Sequence, residues 1–310
     1  MDVEKRKLGL SNLQVSKLGL GCMSLGTDEQ KATKIIEAAL DEGVNYFDTA
    51  DLYEYGVNEK LVGKTLSSIR DQVVIATKVG NRWGEDKDGW EWDPSKTYIK
   101  KAVKDSLHRL NTDYIDLYQL HGGTIDDPIE ETIEAFEELR SEGLIKYYGI
   151  SSIRPNVIRK FVEDSSLVSV MMQYSLLDRR PEETLKLLNK NNISVVTRGS
   201  VAKGLLSDKM LEIMDTGKLL EEDYLEYNGA DIKDLLQSIR SKLLVGSRTI
   251  NEIALQFNLS NNAVASVVTG ASSVEQIQDN ARAVNASPLT DDEITFLKMI
   301  TKATTYNQHQ

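Results

Sequence analysis

The chain has 310 residues, 40% of them hydrophobic, which is enough to fill the core of one large barrel or of two ordinary domains. Its 48 acidic residues outnumber its 37 basic residues and give a net charge of −11, which argues against a general nucleic-acid surface because phosphate backbones need a basic stripe. The single cysteine, Cys22, excludes an intrachain disulfide and a multi-cysteine zinc site.

The first residues are charged and are not followed by an apolar segment, so they do not resemble a secretory signal. Nowhere do about 18 uncharged apolar residues run together, as a membrane-spanning helix requires. We therefore expect a cytoplasmic protein that does not enter the membrane. Nothing in the sequence defines the oligomeric state, and we take a monomer as the expectation.

In chain order, the first predicted element is a short hairpin, with strands at residues 7–10 and 14–18 around a turn at Ser11-Asn12. Strand-like and helix-like segments then alternate. Apolar runs predict eight strands, at residues 17–21, 44–47, 73–78, 114–120, 145–150, 168–174, 193–197 and 263–269.

Between these strands, apolar residues recur at three and four positions, which is typical of helices packed on one face. Such patterns predict helices at residues 32–42, 96–110, 129–142 and 156–163. Asp127-Pro128 offers an N-cap and a first-turn proline, and Asp93-Pro94-Ser95 precedes the next-earlier helix in a similar way. The polar, acidic stretch at residues 207–231 predicts an excursion over one face before a helix at residues 232–244.

Eight strand–helix units with continuously apolar strands favour a parallel sheet covered by helices. The sequence therefore predicts an α/β protein, a (β/α)8 TIM barrel with a short N-terminal β-hairpin. A doubly wound sheet is the competing fold, but no linker rich in Gly, Pro or Ser divides the chain. We expect one domain over residues 1–310.

Polar residues follow three neighbouring predicted strands, at Asp48, Lys78 and His121, and Tyr53 lies in the loop beyond Asp48. Strand ends of a barrel converge on one mouth, so these side chains should meet there. A tyrosine is a weak acid that needs a cation to stabilise its phenolate. Lys78 ends an apolar run and would supply that cation, with Asp48 as its partner.

The alternative is that these residues have only structural roles. Asp48 and Lys78 would then be a structural ion pair, Tyr53 would pack in a loop, and His121 would bind a backbone carbonyl. A metal site of His121 with Asp48 or Asp51 is less favoured, because no second histidine or cysteine lies nearby. We therefore expect no metal.

Three motifs together resemble the aldo-keto reductases, particularly their bacterial and potassium-channel-subunit-like branch. They are Phe47-Asp48-Thr49-Ala50-Asp51-Leu52-Tyr53, Ala76-Thr77-Lys78, and Arg109-Leu110-Asn111-Thr112-Asp113-Tyr114-Ile115-Asp116-Leu117-Tyr118-Gln119-Leu120-His121. The resemblance implies reversible hydride transfer between NADP(H) and a small carbonyl substrate. Tyr53 would be the general acid, Lys78 would stabilise its phenolate, Asp48 would hold Lys78, and His121 would orient the carbonyl oxygen.

The same resemblance implies the cofactor contacts. The nicotinamide would meet Ser151, Ser152, Gln173 and Arg198, although many relatives carry asparagine in place of Ser152 and tyrosine in place of Arg198. The pyrophosphate would lie along Arg198-Gly199-Ser200-Val201-Ala202-Lys203, and the adenosine against Gly270, Ser272, Gln276, Asp279 and Asn280. Gly270 and Gln276 replace the lysine and arginine of many members, so NAD(H) stays open beside NADP(H). Gly21, Cys22 and Met23 would touch the cofactor ribose or the substrate.

The segment between Lys78 and Pro94 contains all three tryptophans, Trp83, Trp90 and Trp92. Loops at a barrel mouth select substrates, and aromatic walls favour apolar carbonyls. We expect the substrate pocket to contain Met23, Tyr53, Trp83 and His121, while Trp90 and Trp92 are as well explained as anchors on the barrel rim. A cofactor-loaded redox-sensing or scaffold protein with slow turnover is the alternative function. A lyase using Lys78 as a Schiff base is less favoured, because it leaves the phenol without a task.

Overall fold

The structure is a computed structural model that describes residues 3–84, 86, 88–217 and 222–306. Its strands, numbered in chain order, are β1 Lys5–Lys7, β2 Gln14–Ser16, β3 Leu18–Gly21, β4 Tyr46–Asp48, β5 Val74–Val79, β6 Asn81–Arg82, β7 Glu91–Trp92, β8 Ile115–Leu120, β9 Ile145–Ser151, β10 Ser169–Gln173, β11 Ser194–Arg198 and β12 Val264–Gly270. Its helices are α1 Glu29–Asp41, α2 Val57–Leu66, α3 Lys96–Leu110, α4 Ile129–Ser141, α5 Pro155–Asp164, α6 Glu182–Lys190, α7 Asp208–Asp215, α8 Gly229–Leu243, α9 Ile250–Leu259, α10 Val274–Asn285 and α11 Asp291–Ile300.

Eight parallel strands close into a barrel in the order β3, β4, β5, β8, β9, β10, β11, β12 and back to β3. Each of the eight predicted strands overlaps one of them, and helices alternate with them along the chain. The predicted (β/α)8 TIM barrel is therefore confirmed. None of the helices in the described part of the chain combines the length and the apolar character needed to cross a bilayer.

The core has two layers because strand side chains alternate between the two faces of the barrel wall. Inward-facing residues such as Tyr46, Ala76, Leu117 and Met171 fill the barrel interior. Outward-facing residues such as Phe47 pack against the surrounding helices. The apolar runs seen in the sequence follow from this arrangement, since both faces of each strand are buried.

The N-terminal hairpin is present, but its first strand is Lys5–Lys7 rather than residues 7–10, and Lys7 pairs with Gln14. Leu8 and Leu13 leave the hairpin ladder and pack into the barrel interior. Gly9, with φ 53°, lies so close to strand β10 that a Cβ would be 2.2 Å from the Val168 carbonyl oxygen. Leu8, one of the apolar residues that predicted a strand, therefore fills the lower end of the barrel together with Leu13.

Two predicted helix starts differ in detail. Ser95, rather than Asp93, caps α3 by accepting a hydrogen bond from the Tyr98 amide. Asp127 does not cap α4, because its carboxylate accepts hydrogen bonds from Thr124 and from the Trp92 indole. The β6–β7 hairpin accounts for the second difference, because Trp92 at its end engages Asp127.

The predicted excursion at residues 207–231 contains a helix that its weak periodicity did not reveal. Ser207 caps α7, and Met214 and Leu211 are buried. After this helix, Tyr224 and Tyr227 form a small antiparallel bridge that leads into α8, whose start is a capping box of Asn228 and Asp231. Residues 218–221 of the predicted excursion lie outside the described residues.

Candidate active site

Strand alternation brings the predicted polar residues to the carboxyl mouth of the barrel. Asp48 continues the inward-facing row of Tyr46, and Lys78 continues the row of Val74 and Ala76. Lys78 is paired in register with Gln119 on β8. Because parallel strands end at the same edge, these side chains project into one space.

Lys78 is completely buried, and its ammonium group has three partners. Its Nζ donates to Asp48 Oδ1 at 2.5 Å, to the Thr49 carbonyl oxygen at 2.8 Å and to the Tyr53 hydroxyl oxygen at 3.3 Å. Burial opposes the charged form, but the nearby Asp48 and Tyr53 outweigh it and raise the pKa of Lys78. Lys78 is therefore a cation held in place beneath the phenol.

Gln119 is a member of this cluster that sequence reasoning missed. Its side-chain amide donates to Asp48 Oδ2 at 3.3 Å, so the second carboxylate oxygen also has a partner. The signal was present in the chain, since Gln119 is the only polar residue that shares the inward face of its strand with His121. Gln119 fixes the carboxylate that holds Lys78.

Tyr53 begins a tight helical turn in which Glu54 and Tyr55 have φ values of 48° and 50° and Gly56 has φ 82°. Left-handed backbone is costly for residues with side chains, so surrounding contacts must hold this turn. Gly56 packs against Arg109, whose Cδ would lie 2.6 Å from an added Cβ. Arg109 is in turn bound at 2.6 Å to the buried carboxylate of Glu59. The turn therefore orients Tyr53 from a rigid base.

His121 lies beside Tyr53, with ring centroids 5.9 Å apart and an angle of 83° between the ring planes. Burial, together with the positive charges of Lys78 and Arg198, lowers the pKa of His121 to about 3. The imidazole is therefore neutral at physiological pH and has one N–H donor. In the described part of the chain its Nδ1 atom is buried without a hydrogen-bond partner.

These residues line a cavity of about 840 Å³, which we call the mouth cavity. Of the predicted contacts, it contains Tyr53, Lys78, His121, Met23, Ser151, Ser152 and Arg198. Arg198 Nη1 donates to Gln173 Oε1 at 3.1 Å, and the Gln173 amide donates to Asp178 at 2.9 Å. Gln173 is thus one residue behind the cavity lining.

The tryptophan expectation needs a correction, because the mouth cavity is lined by Trp90 and not by Trp83. Trp83 Nε1 donates to the Asp51 carbonyl oxygen at 3.2 Å, and its ring packs edge-on against Tyr55. Pairing of β6 with β7 sets this outcome, because the returning strand brings Trp90 over the mouth. Trp92 anchors the hairpin through its bond to Asp127.

A second cavity of about 710 Å³, which we call the outer cavity, lies between the segment after β11 and the start of α10. It is lined by the predicted residues Val201, Lys203, Gly270, Gln276, Asp279 and Asn280. Two further cations, Lys209 and Arg282, line it and were missed by sequence reasoning. Arg282 is paired with Asp279 one helical turn earlier, a spacing visible in the chain.

Three predicted cofactor contacts have side chains that face the protein instead. Cys22 is buried in the core, and burial raises the pKa of its thiol. Ser200 is buried, with its hydroxyl near Asn258 Oδ1 at 3.3 Å, and Ala202 is also buried. Ser272 does not line the outer cavity, but it is exposed and binds the Gln276 side chain, which does.

The two cavities are joined by the segment from Arg198 to Gly204, since Arg198 lines one and Val201, Lys203 and Gly204 line the other. Gly199, Ala202, Lys203 and Gly204 all have positive φ values between 47° and 88°. This backbone closes on itself as a tight turn, since the amides of Ala202 and Gly204 donate to the carbonyls of Gly199 and Val201. Gly21 ends β3 beside Gly270, where the backbones lie close. The two cavities and the turn between them are the part of the structure that could hold an extended dinucleotide.

Within the described residues, no three histidine, cysteine or acidic side chains converge as a metal-ligand set would.

A family model described as the aldo/keto reductase family matches residues 17–302. The chain is 53% identical over 308 residues to the oxidoreductase YqkF of Bacillus subtilis, covering 99% of this chain and 100% of that one. It is 29% identical to the NADH-specific methylglyoxal reductase of Escherichia coli, over 97% and 99% of the two chains.

Among solved structures, the holo form of aldo-keto reductase AKR11C1 from Bacillus halodurans matches with a TM-score of 0.93 and 56% identity over 99% of both chains. The apo form of that protein matches with a TM-score of 0.84. Together with the family model and the barrel, these matches define the family: the chain belongs to the aldo-keto reductases, oxidoreductases that act on carbonyl groups with nicotinamide cofactors.

Proposed function

We propose that this protein is an NADPH-dependent reductase that converts aldehydes or ketones to alcohols, with Tyr53 as the general acid. The observation that carries the proposal is the phenol of Tyr53, which lies 3.3 Å from a buried ammonium group and lines the mouth cavity beside His121. A fixed cation beside a phenol stabilises the phenolate that forms when the phenol donates its proton to a substrate oxygen.

Bound NADPH would supply the hydride that the carbonyl carbon accepts. Tyr53 would transfer its hydroxyl proton to the carbonyl oxygen, so that the oxygen becomes the alcohol. Lys78 would stabilise the phenolate, and Asp48 would keep Lys78 protonated and in position. Solvent would return a proton to Tyr53 after the product leaves.

His121 would act as a hydrogen-bond donor and not as a proton source. Because the pKa of His121 is about 3, its side chain is a neutral imidazole at neutral pH and carries one N–H. It has no imidazolium proton to release. That N–H would hold the carbonyl oxygen within reach of Tyr53.

The cations of the outer cavity favour NADPH over NADH. Lys203, Lys209 and Arg282 line it together with Asp208, Glu252 and Asp279, and a 2′-phosphate on the adenosine ribose is a dianion that the three cations would bind. The Arg282 guanidinium is paired with Asp279 and would have to turn from that carboxylate to a phosphate. NADH is the alternative, since a relative at 29% identity is named an NADH-specific reductase.

The test follows the absorbance of NADPH and of NADH with a panel of aldehydes, for the wild type and for Tyr53→Phe. We expect turnover by the wild type with NADPH preferred, and a loss of about 100-fold or more in kcat for the variant, with cofactor binding retained. Tyr55→Phe removes the same hydroxyl two residues later, outside the mouth cavity, and should behave as the wild type.

Equal turnover by Tyr53→Phe would overturn the acid assignment. Tight NADPH binding without turnover on any carbonyl would instead favour a cofactor-loaded sensor.

A further inference from the structure

The mouth cavity carries positive charge that the proposed reaction does not use. Among the residues that the structure describes, four cations line it, Lys78, Arg154, Arg180 and Arg198, against one carboxylate side chain, Glu226. This is a local reversal of the overall balance, in which acidic residues outnumber basic ones by 48 to 37. Buried or half-buried arginines are ordinarily paired with carboxylates, and this chain has an excess of carboxylates.

Two of these cations are already neutralised. Lys78 is bound to Asp48, and Arg180 makes two bonds of 2.7 Å to the two carboxylate oxygens of Asp178. Arg154 and Arg198 have no carboxylate within ion-pair distance among residues 3–84, 86, 88–217 and 222–306; their partners are the Gly123 carbonyl and the Gln173 amide oxygen.

Arg198 belongs with the proposed cofactor site, because it begins the segment that joins the mouth cavity to the outer cavity. Arg154 lies two strands away, in the loop between β9 and α5. The Gly123 carbonyl takes one of the five N–H donors of its guanidinium, and the remaining donors have no partner in the described structure.

The Arg154 guanidinium binds the backbone two residues beyond His121, since its partner is the Gly123 carbonyl. Met23, Trp90 and Ile153 line the same cavity and present apolar surface, since they are 66%, 55% and 37% exposed. The mouth cavity therefore offers the phenol of Tyr53, apolar walls and an unneutralised guanidinium.

We propose that Arg154 selects carbonyl substrates that carry a carboxylate on the far side of an apolar body from the reacting carbonyl. A planar carboxylate matches the forked geometry of a guanidinium and can accept two of its free N–H groups. This inference rests on the proposed carbonyl reduction and adds the substrate class to it.

The test compares 4-formylbenzoate with its methyl ester, which has the same ring and aldehyde but no charge. The wild type should have a kcat/KM at least about tenfold higher for the acid, mostly through KM. Arg154→Gln should remove that preference and leave the rate on the ester within about twofold of the wild type. Arg154→Lys keeps the charge and should keep part of the preference.

Arg159→Gln is the matched control, because Arg159 is an exposed arginine of α5 that does not line the mouth cavity. It makes the same change in net charge and should leave the preference intact. Raised salt should weaken the preference of the wild type and leave the ester unaffected. Equal kcat/KM for the two substrates in the wild type, or a preference retained in Arg154→Gln, would overturn the proposal.

A binding measurement separates this proposal from the reductase proposal. Titration of tryptophan fluorescence with 4-methylbenzoate, which has no aldehyde, should show binding to the wild type and at least about tenfold weaker binding to Arg154→Gln. If neither aldehyde is reduced but this difference is seen, the anion site stands and the reductase proposal fails. Equal 4-methylbenzoate binding by both proteins would refute the anion site whatever the turnover.

Discussion

Lys78 and Tyr53 meet at the barrel mouth, where the lysine Nζ lies 3.3 Å from the tyrosine hydroxyl oxygen and 5.0 Å from the ring centroid. The lysine comes from the end of a strand and the tyrosine from a tight turn after the neighbouring strand. The contact thus depends on closure of the barrel as well as on the two residue types. Removing either partner should therefore have separable effects on chemistry and on folding.

Replacing Lys78 with methionine should abolish the chemistry and weaken the fold. The uncharged side chain cannot stabilise a phenolate, so we expect kcat to fall by about 100-fold or more. Asp48 would be left buried without its cation, and the free energy of unfolding should fall by about 3–5 kcal/mol. Steady-state kinetics and urea unfolding measure the two effects, with the exposed Lys60→Met as control.

The double variant Asp48→Asn, Lys78→Met separates these effects, because no buried charge then lacks a partner. Its stability should exceed that of Lys78→Met alone while its activity stays low. Recovery of activity in the double variant would contradict the role given to Lys78.

His121 should make stability depend on pH in a defined direction. Its pKa is about 3 in the folded state, against about 6.5 in an unfolded chain. Between these values the unfolded state binds a proton that the folded state does not, so this residue destabilises the fold increasingly as the pH falls below 6.5. From pH 7 to pH 5 the wild type should lose about 2 kcal/mol more unfolding free energy than His121→Gln.

Chemical unfolding at the two pH values measures this difference, with His108→Gln on the exposed face of α3 as control. Because the imidazole of His121 is neutral from pH 5 to 8, its titration should not contribute to the pH dependence of kcat in that range. The profile of His121→Gln should therefore show every step that the wild type shows. Identical pH dependence of stability in the wild type and in His121→Gln would contradict a buried neutral imidazole.

Arg282 should determine the affinity for the 2′-phosphate. Arg282→Gln should raise KM for NADPH by about tenfold and change KM for NADH little, because one charged contact to a phosphate is lost. Arg240→Gln is the matched control, since Arg240 is also paired with an exposed aspartate, Asp215, but does not line the outer cavity. An equal effect of Arg282→Gln on both cofactors would show that this residue does not read the phosphate.

Trp90 and Trp83 should differ in what their loss affects. Trp90→Ala removes an exposed wall of the mouth cavity, so KM for aromatic aldehydes should rise several-fold with stability unchanged. Trp83→Ala removes a hydrogen bond to Asp51 and a ring contact with Tyr55, so it should lower the melting temperature. Kinetics and thermal unfolding of both variants distinguish the two positions, and a reversed pattern would contradict the cavity assignment.

Local pattern was sufficient for the barrel strands because both faces of each strand are buried, which leaves an apolar run that any closed barrel needs. The hairpin shows where this reasoning fails. Leu8 and Leu10 belong to one apolar run, yet Leu8 is fully buried in the barrel end and Leu10 is 73% exposed. Only the docking of the hairpin beneath the barrel distinguishes a plugging residue from a paired one.

The cofactor contacts show the same division. Gly270, Gln276 and Asn280, which we expect to contact the cofactor, line the outer cavity, whereas Cys22 and Ser200 turn into the core. Side-chain direction in an irregular segment depends on the local φ and ψ values, which positive-φ residues such as Ala202 alter without a signal in the residue type. Arg282 was missed because its partner Asp279 makes it resemble an ordinary surface ion pair.

The sequence by itself determined the family, the eight strand–helix units, and the residue types that meet at the mouth. Strand periodicity and the strand-end rule are properties of the chain, and they were enough to bring Asp48, Lys78 and His121 together. The tertiary structure alone decided which tryptophan faces the mouth cavity, that Gln119 holds the second oxygen of Asp48, and that Arg154 has no carboxylate partner among the described residues. These facts depend on how loops from distant strands pack against each other. The periodicity of one segment does not specify which other segments it will contact.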